Sequence, residues 1–183
     1  MLFKEERFTL KGHEIELRSA KDEDAQILID GLIEVCGETD FLLAYKDEID
    51  LTIEDEIKFI HGNNKSEGDG LVMAFVDGEY AGNASFNSNG RRRRFAHRGS
   101  IGIALKLRFT GLGLGPIMLE RILEKMKECG LEQAELDVFA TNARAIHVYE
   151  KLGFRECGRI PKAAKYDDGT YADEVHMVRS LIS

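Results

Sequence analysis

Apolar residues recur along this chain with two distinct periods. Leu114, Met118, Ile122 and Met126 fall at four-residue steps, with Glu120, Glu124 and Lys127 off that face. That spacing predicts an amphipathic helix with one buried face. Cys129-Gly130 should end it, since glycine commonly follows the last helical residue. Residues 95–107 precede this helix and close in Ser100-Ile-Gly-Ile-Ala-Leu-Lys-Leu107, which reads as a strand. Residues 22–36 predict a helix with Leu28, Leu32 and Val35 inward. Thr52 is placed to cap a second helix carrying Ile53, Ile57 and Ile60. Residues 13–17 read as a strand, and 71–76 with 80–86 as a hairpin turning at Asp77-Gly78. Residues 133–139 predict a strand and 142–152 a helix, and two strands finish the chain. The order β-α-α-β-β-β-α-β-α-β-β describes a mixed α/β sheet flanked by helices.

With 183 residues and two prolines, the chain reads as one domain over residues 1–183, large enough for a real core. The net charge of −8 argues against a general nucleic-acid binder, whose footprint is basic, and suits a cationic acceptor such as an amine. Cys36, Cys129 and Cys157 are scattered and form no Cys/His cluster, so no metal is expected and a reducing cytoplasm fits them. No apolar signal core or membrane-length run is present, which also points to the cytoplasm and away from membranes. Arg91-Arg-Arg-Arg94 follows the turn signal Asn87-Ser-Asn-Gly90 and reads as a solvated hairpin tip.

Between strand and helix lies Thr110-Gly-Leu-Gly-Leu-Gly115, three alternating glycines. Glycine lets a ligand approach backbone N–H groups closely, and a following helix N-terminus adds unpaired donors and positive dipole. The combination suits phosphate or pyrophosphate. Gly115 is followed by Pro116-Ile117, not Lys-Ser/Thr, so the Walker pattern fails. Counted from Gly111, Pro116 stands where the dinucleotide fingerprint needs its last glycine, and Asp137 lies within a strand pattern, not at a strand end. ATP and NAD fit poorly.

Downstream, Asn142-Ala-Arg-Ala-Ile-His-Val-Tyr-Glu-Lys-Leu-Gly-Phe154 offers Asn142 as a helix cap, Gly153 as a helix end and Phe154 as a core anchor. Over about residues 99–158, the glycine loop plus Asn-x-x-Ala-x-x-x-Tyr-x-x-x-Gly-Phe closely resembles the GNAT superfamily of N-acetyltransferases. A weaker likeness runs from Arg18 to Met177. The loop departs from the family pattern at Thr110, where arginine or glutamine is usual.

The resemblance implies a mostly antiparallel mixed sheet whose one parallel pair splays apart to bind acetyl-coenzyme A. Backbone groups of Ile103, Ala104 and Leu105 would meet the pantetheine arm and thioester. Thr110, Gly111, Leu112, Gly113, Leu114 and Gly115 would cradle the pyrophosphate, and Asn142 would contact the coenzyme arm. Tyr149 would lie near the thioester sulfur as general acid, with direct attack by a primary amine in a ternary complex. Relatives often carry a glutamate where Ser100 stands. Glu38, between the first two helices, is a candidate acceptor contact and base, and His97, Asp137 and Glu174 are further candidates. The acceptor stays open among small-molecule and protein amines, and a homodimer is compatible with this reading. The alternative is a non-catalytic acyl-coenzyme A sensor or interaction domain.

Overall fold

The computed structural model describes residues 2–90 and 92–182. The described strands are β1 (Glu6–Leu10), β2 (His13–Ser19), β3 (Asp69–Val76), β4 (Glu79–Ser88), β5 (Arg98–Leu105), β6 (Gln133–Phe139), β7 (Arg155–Lys165) and β8 (Tyr171–Ser180). The helices are α1 (Ala25–Glu38), α2 (Ile53–Lys65), α3 (Leu114–Glu128) and α4 (Ala143–Lys151). The strands form a single sheet in the order β1-β2-β3-β4-β5-β6-β8-β7. Only β5 and β6 run parallel.

Local chemistry sets the helix boundaries. Thr52 accepts from the Asp55 N–H and caps α2, a bond of the kind that contributes about 1 kcal/mol. Past α3, the Gly130 N–H donates to Lys127 and the Leu131 N–H to Met126, with Gly130 left-handed at φ +76°. This closure also sets Leu131 beside Met126 in the core, so the chain turns directly into β6.

The sheet is covered unevenly. Leu114, Met118, Ile122 and Met126 are all buried, as their period requires, and pack with Ile15, Leu17, Val72, Ala74 and Phe86. The opposite face of β3 carries Leu71, Met73 and Phe75, which join Leu28, Ile60 and Tyr80 under α1 and α2. Buried on both faces, β3 loses the polar alternation of a solvated strand. On β6 the alternation returns. Ala134, Leu136 and Val138 are buried on the α3 side, while Gln133, Glu135 and Asp137 lie on the other. There α1 and α2 stop at the near edge of β5 and leave β6–β8 polar and open.

Three expectations need correction. The described chain has eight strands, because β1 pairs with β2 along Glu6↔Leu17 to Leu10↔His13. Its turn is Lys11-Gly12, both at positive φ, which lacks the usual Asn-Gly or Asp-Gly signal. β5 begins at Arg98, not near residue 95, because residues 92–97 are turns; Arg92, Arg93 and Arg94 are exposed and Arg91 lies outside the described residues. On α2 the buried stripe is Glu56, Ile60 and Asn63, whereas Ile53 is 50% exposed. A carboxylate and an amide hold positions that a hydrophobic pattern assigns to the outside. Burial pushes the Glu56 carboxyl above its ordinary value.

Candidate active site

β5 and β6 pair only through Arg98↔Gln133, Gly99↔Ala134 and Ser100↔Glu135. Beyond Ser100 both strands continue, to Leu105 and Phe139, without pairing each other. The far edge of β5 stays bound to β4 as far as Gly82↔Leu105. Half-buried Ile103, Ala104 and Leu105 therefore border a wedge whose β5 backbone is free to meet an extended ligand.

The wedge opens onto the glycine loop. A short 3₁₀ turn, Leu107–Phe109, leads to Thr110, and α3 begins with Gly113 as a left-handed N-cap at φ +94°. A Cβ at Gly113 would meet nothing within 4 Å, so the space above the loop is open. At Gly115 a Cβ would lie 3.3 Å from Leu105 Cδ1, so its absence lets the first turn of α3 press on β5. Gly113 provides no side-chain cap, leaving the first N–H donors of a four-turn helix for a ligand. These features fit a pyrophosphate: a positive helix end, a concave backbone and no Cβ in the approach.

Helix α1 braces this loop. Glu34 takes Lys106 Nζ at 2.8 Å and Arg108 at 2.9 Å, and Arg108 also pairs with Glu79. The Lys106 hydrogen bond holds the Glu34 carboxyl below its usual range, against a smaller opposing effect of burial. Glu38 Oε2 accepts the Leu107 N–H at 2.7 Å. From the other side, Lys11 donates to the Gly111 carbonyl at 3.0 Å and Arg144 to Thr110 Oγ1 at 3.1 Å.

Across the wedge, Asn142 Oδ1 accepts from the Ala145 N–H at 3.2 Å and caps α4. Gly153 ends the helix at φ +84° and Phe154 is buried. Tyr149 lies edge-on to Phe154, with centroids 6.0 Å apart. Burial pushes its phenol up to about 12, and its hydroxyl has no protein partner among the described residues.

The open face of the sheet carries the acceptor-side candidates. Asp137 lies two residues past Glu135, where the parallel pairing ends, on the face away from α3. It hydrogen-bonds to His176 Nδ1 on β8, and Glu174 joins them, the ligating atoms all within 4.8 Å of one another. These three are the only cluster among the described residues with the makeup of a metal site. Glu135, opposite Ser100, is taken by Arg98 and Gln133. The Arg98 and Gln133 hydrogen bonds outweigh its burial and hold its carboxyl low. His97 sits just before β5, where its carbonyl accepts from the Glu132 and Gln133 N–H groups, and so stands apart from the loop. At the wedge mouth, Tyr166 donates to the Asp40 carbonyl and Tyr45 accepts from the Asp167 N–H, clasping the segment after α1 to the β7–β8 turn.

Sequence reasoning missed His176, Lys11 and Arg144. Each reaches the loop or the wedge from an element remote in sequence; Arg144 stands inside the Asn142–Phe154 motif, but nothing in that motif shows that its side chain reaches Thr110. No described helix is long and apolar enough to cross a membrane.

Residues 37–154 match the family described as Acetyltransferase (GNAT) family. The L-amino acid N-acetyltransferase AaaT of Escherichia coli is 31% identical over 109 residues, 59% of this chain and 66% of that protein. The [Ribosomal protein bS18]-alanine N-acetyltransferase of E. coli is 33% identical over 92 residues, 46% of this chain and 62% of that protein. These matches thus span just under two thirds of each relative. An acetyltransferase of the GNAT family from Streptococcus pneumoniae superposes with a TM-score of 0.86 at 30% identity, covering 91% of this chain and 99% of that one. The fold is shared by yncA of Salmonella typhimurium, a putative acetyltransferase solved with acetyl-CoA (TM-score 0.81, 18% identity, 92% of this chain and 95% of that one).

Proposed function

The chain belongs to the GNAT acetyltransferase family, and from that premise we propose that it transfers the acetyl group of acetyl-coenzyme A to a primary amine by direct attack. One observation carries the reading: the one parallel pair among the described strands splays apart after Ser100, and the wedge ends on the glycine loop and the open N-terminus of α3. The loop takes the pyrophosphate. Ile103, Ala104 and Leu105 offer backbone groups to the pantetheine arm and an N–H to the thioester carbonyl as charge develops on its oxygen. Asn142 Nδ2, left over from the cap, faces the same arm.

An alkyl amine near pKa 10 is neutral in only about one molecule in a thousand at pH 7, so a base matters. The Asp137–His176 pair is the best-placed candidate. With Nδ1 of His176 bonded to the Asp137 carboxyl group, Nε2 is the ring nitrogen left to take a proton from the amine. Glu38, tied to the Leu107 N–H, lines the mouth and shapes it. Tyr149 holds its proton across the working range. Against a thiol of about 8.5, a phenol at about 12 gives up that proton reluctantly, so it stabilises the departing thiolate by donating a hydrogen bond. Burial also pushes the Cys36 and Cys129 thiols up, which makes them poor nucleophiles and favours direct attack over an acyl-enzyme.

The acidic open face suits a cationic amine, and the two named relatives are an L-amino acid N-acetyltransferase and a [Ribosomal protein bS18]-alanine N-acetyltransferase. A thiol-release assay with acetyl-coenzyme A across amino acids, peptides with free N-termini and polyamines tests the proposal. Turnover with at least one class is expected. Tight coenzyme binding without turnover on any amine would instead establish an acyl-coenzyme A sensor.

A further inference from the structure

The cations around the glycine loop differ in their partners, and Lys106 is paired with Glu34. Arg108 is neutralised by Glu34 and Glu79 and faces α1. Lys11 and Arg144 have no carboxylate partner among the described residues. Lys11 donates to the Gly111 carbonyl, and Arg144 donates to Thr110 Oγ1. The two arrive from opposite sides, Lys11 from the β1–β2 turn at φ +53° and Arg144 from the first turn of α4. The Arg144 guanidinium reaches further still, with Nη2 3.4 Å from where a Gly111 Cβ would stand. Arginine has five N–H donors in a planar fork, and the Thr110 bond occupies one of them.

We infer that Lys11 and Arg144 form a two-sided cationic clamp that recognises the phosphoryl groups of the coenzyme. It rests on the reading of this loop as the acetyl-coenzyme A site. The clamp supplies the positive charge that Thr110 lacks. Backbone amides alone recognise the shape of a pyrophosphate but bring no net charge. Two fixed cations add charge-assisted hydrogen bonds and raise the local concentration of a polyanion around an otherwise acidic protein. The Lys11–Gly111 bond also gives the N-terminal hairpin a role: its turn fixes one wall of the loop. The surplus donors of Arg144 point the clamp at phosphate, because a guanidinium needed only to brace Thr110 would not require a formal charge.

Calorimetric titration with coenzyme A, dephospho-coenzyme A and pantetheine tests this on Arg144→Gln and Lys11→Asn. Glutamine retains a donor for Thr110, and asparagine tolerates the left-handed turn, so each change removes charge with little loss of structure. Each variant should bind coenzyme A about tenfold more weakly and pantetheine unchanged, with a shallower salt dependence. Weakening shared by coenzyme A and dephospho-coenzyme A assigns the clamp to the pyrophosphate. Weakening confined to coenzyme A assigns it to the 3′-phosphate, and both outcomes support the clamp. Unchanged coenzyme A affinity, or an equal loss with pantetheine, overturns it. If the wild-type protein binds no coenzyme A, the reading beneath it falls and the clamp with it.

Discussion

The two faces of the β5–β6 wedge are built from different materials. On the α3 side, the glycine loop, the helix N-terminus and the strand edge present mostly backbone, drawn from residues 103–115. On the open side, Asp137, Glu174 and His176 present side chains from two strands, rimmed by the segment after α1 and the β7–β8 turn. A site made of backbone is a local property of sequence and serves one unchanging ligand. A site made of side chains needs the whole sheet to assemble and can be altered residue by residue. The first suits a common donor, and the second suits an acceptor that differs among relatives.

On that division, changes on the α3 side should strike coenzyme binding, and changes on the open side should strike turnover. Gly113→Val is the severest test. A branched side chain at φ +94° is strained and projects into the ligand space, so coenzyme affinity should fall by more than about a hundredfold, read by calorimetry. Near-normal affinity would remove the loop from the site. Asp137→Asn should lower kcat by about a hundredfold or more in the thiol-release assay, with coenzyme affinity within about twofold. An effect on binding alone would place Asp137 in a structural role.

Tyr149→Phe should cost about tenfold to a hundredfold in kcat and little in binding. Tyr149 and Tyr80 both rise to about 12 in the folded protein. Their neutral forms are favoured by the fold, so stability present below about pH 10 should be lost as pH rises toward 12. Tyr149→Phe should flatten that loss in an alkaline denaturation series. The smallest effect concerns a residue outside both faces. Burial raises the Glu56 carboxyl, so the fold loses stability as pH rises through the ordinary carboxylate range. Glu56→Gln should raise Tm at pH 7 by about 2 °C and change neither binding nor turnover.

Legibility in the sequence follows the same division. The buried face of α3, the Asp77-Gly78 turn, the caps at Thr52 and Asn142 and the strand-loop-helix unit around the glycines depend on neighbours within a few residues. Each stands where the local pattern puts it. The wedge itself is read instead from the family resemblance. β1 escaped notice because an edge strand with half-buried alternation carries little signal and Lys11-Gly12 is an uncommon turn. Ser100 drew attention as a missing base, yet the groups gathered beside the wedge are Asp137 and His176, which meet through the antiparallel register of β6 and β8. That register becomes visible only once the sheet is formed. Glu56 defied the pattern because polar residues at a helical period are read as solvent-facing.

Helix α1 joins both faces. Its last turns hold the glycine loop through Glu34 and Glu38, and the segment that follows is clasped to the β7–β8 turn at the mouth of the wedge. Ordering either end restricts the other, so donor and acceptor should bind as thermodynamically linked ligands. Each should tighten the other's affinity by the same factor. Reciprocal coupling of this kind sets no order of filling by itself; it makes the complex that holds both ligands more stable than the two binary complexes alone would give.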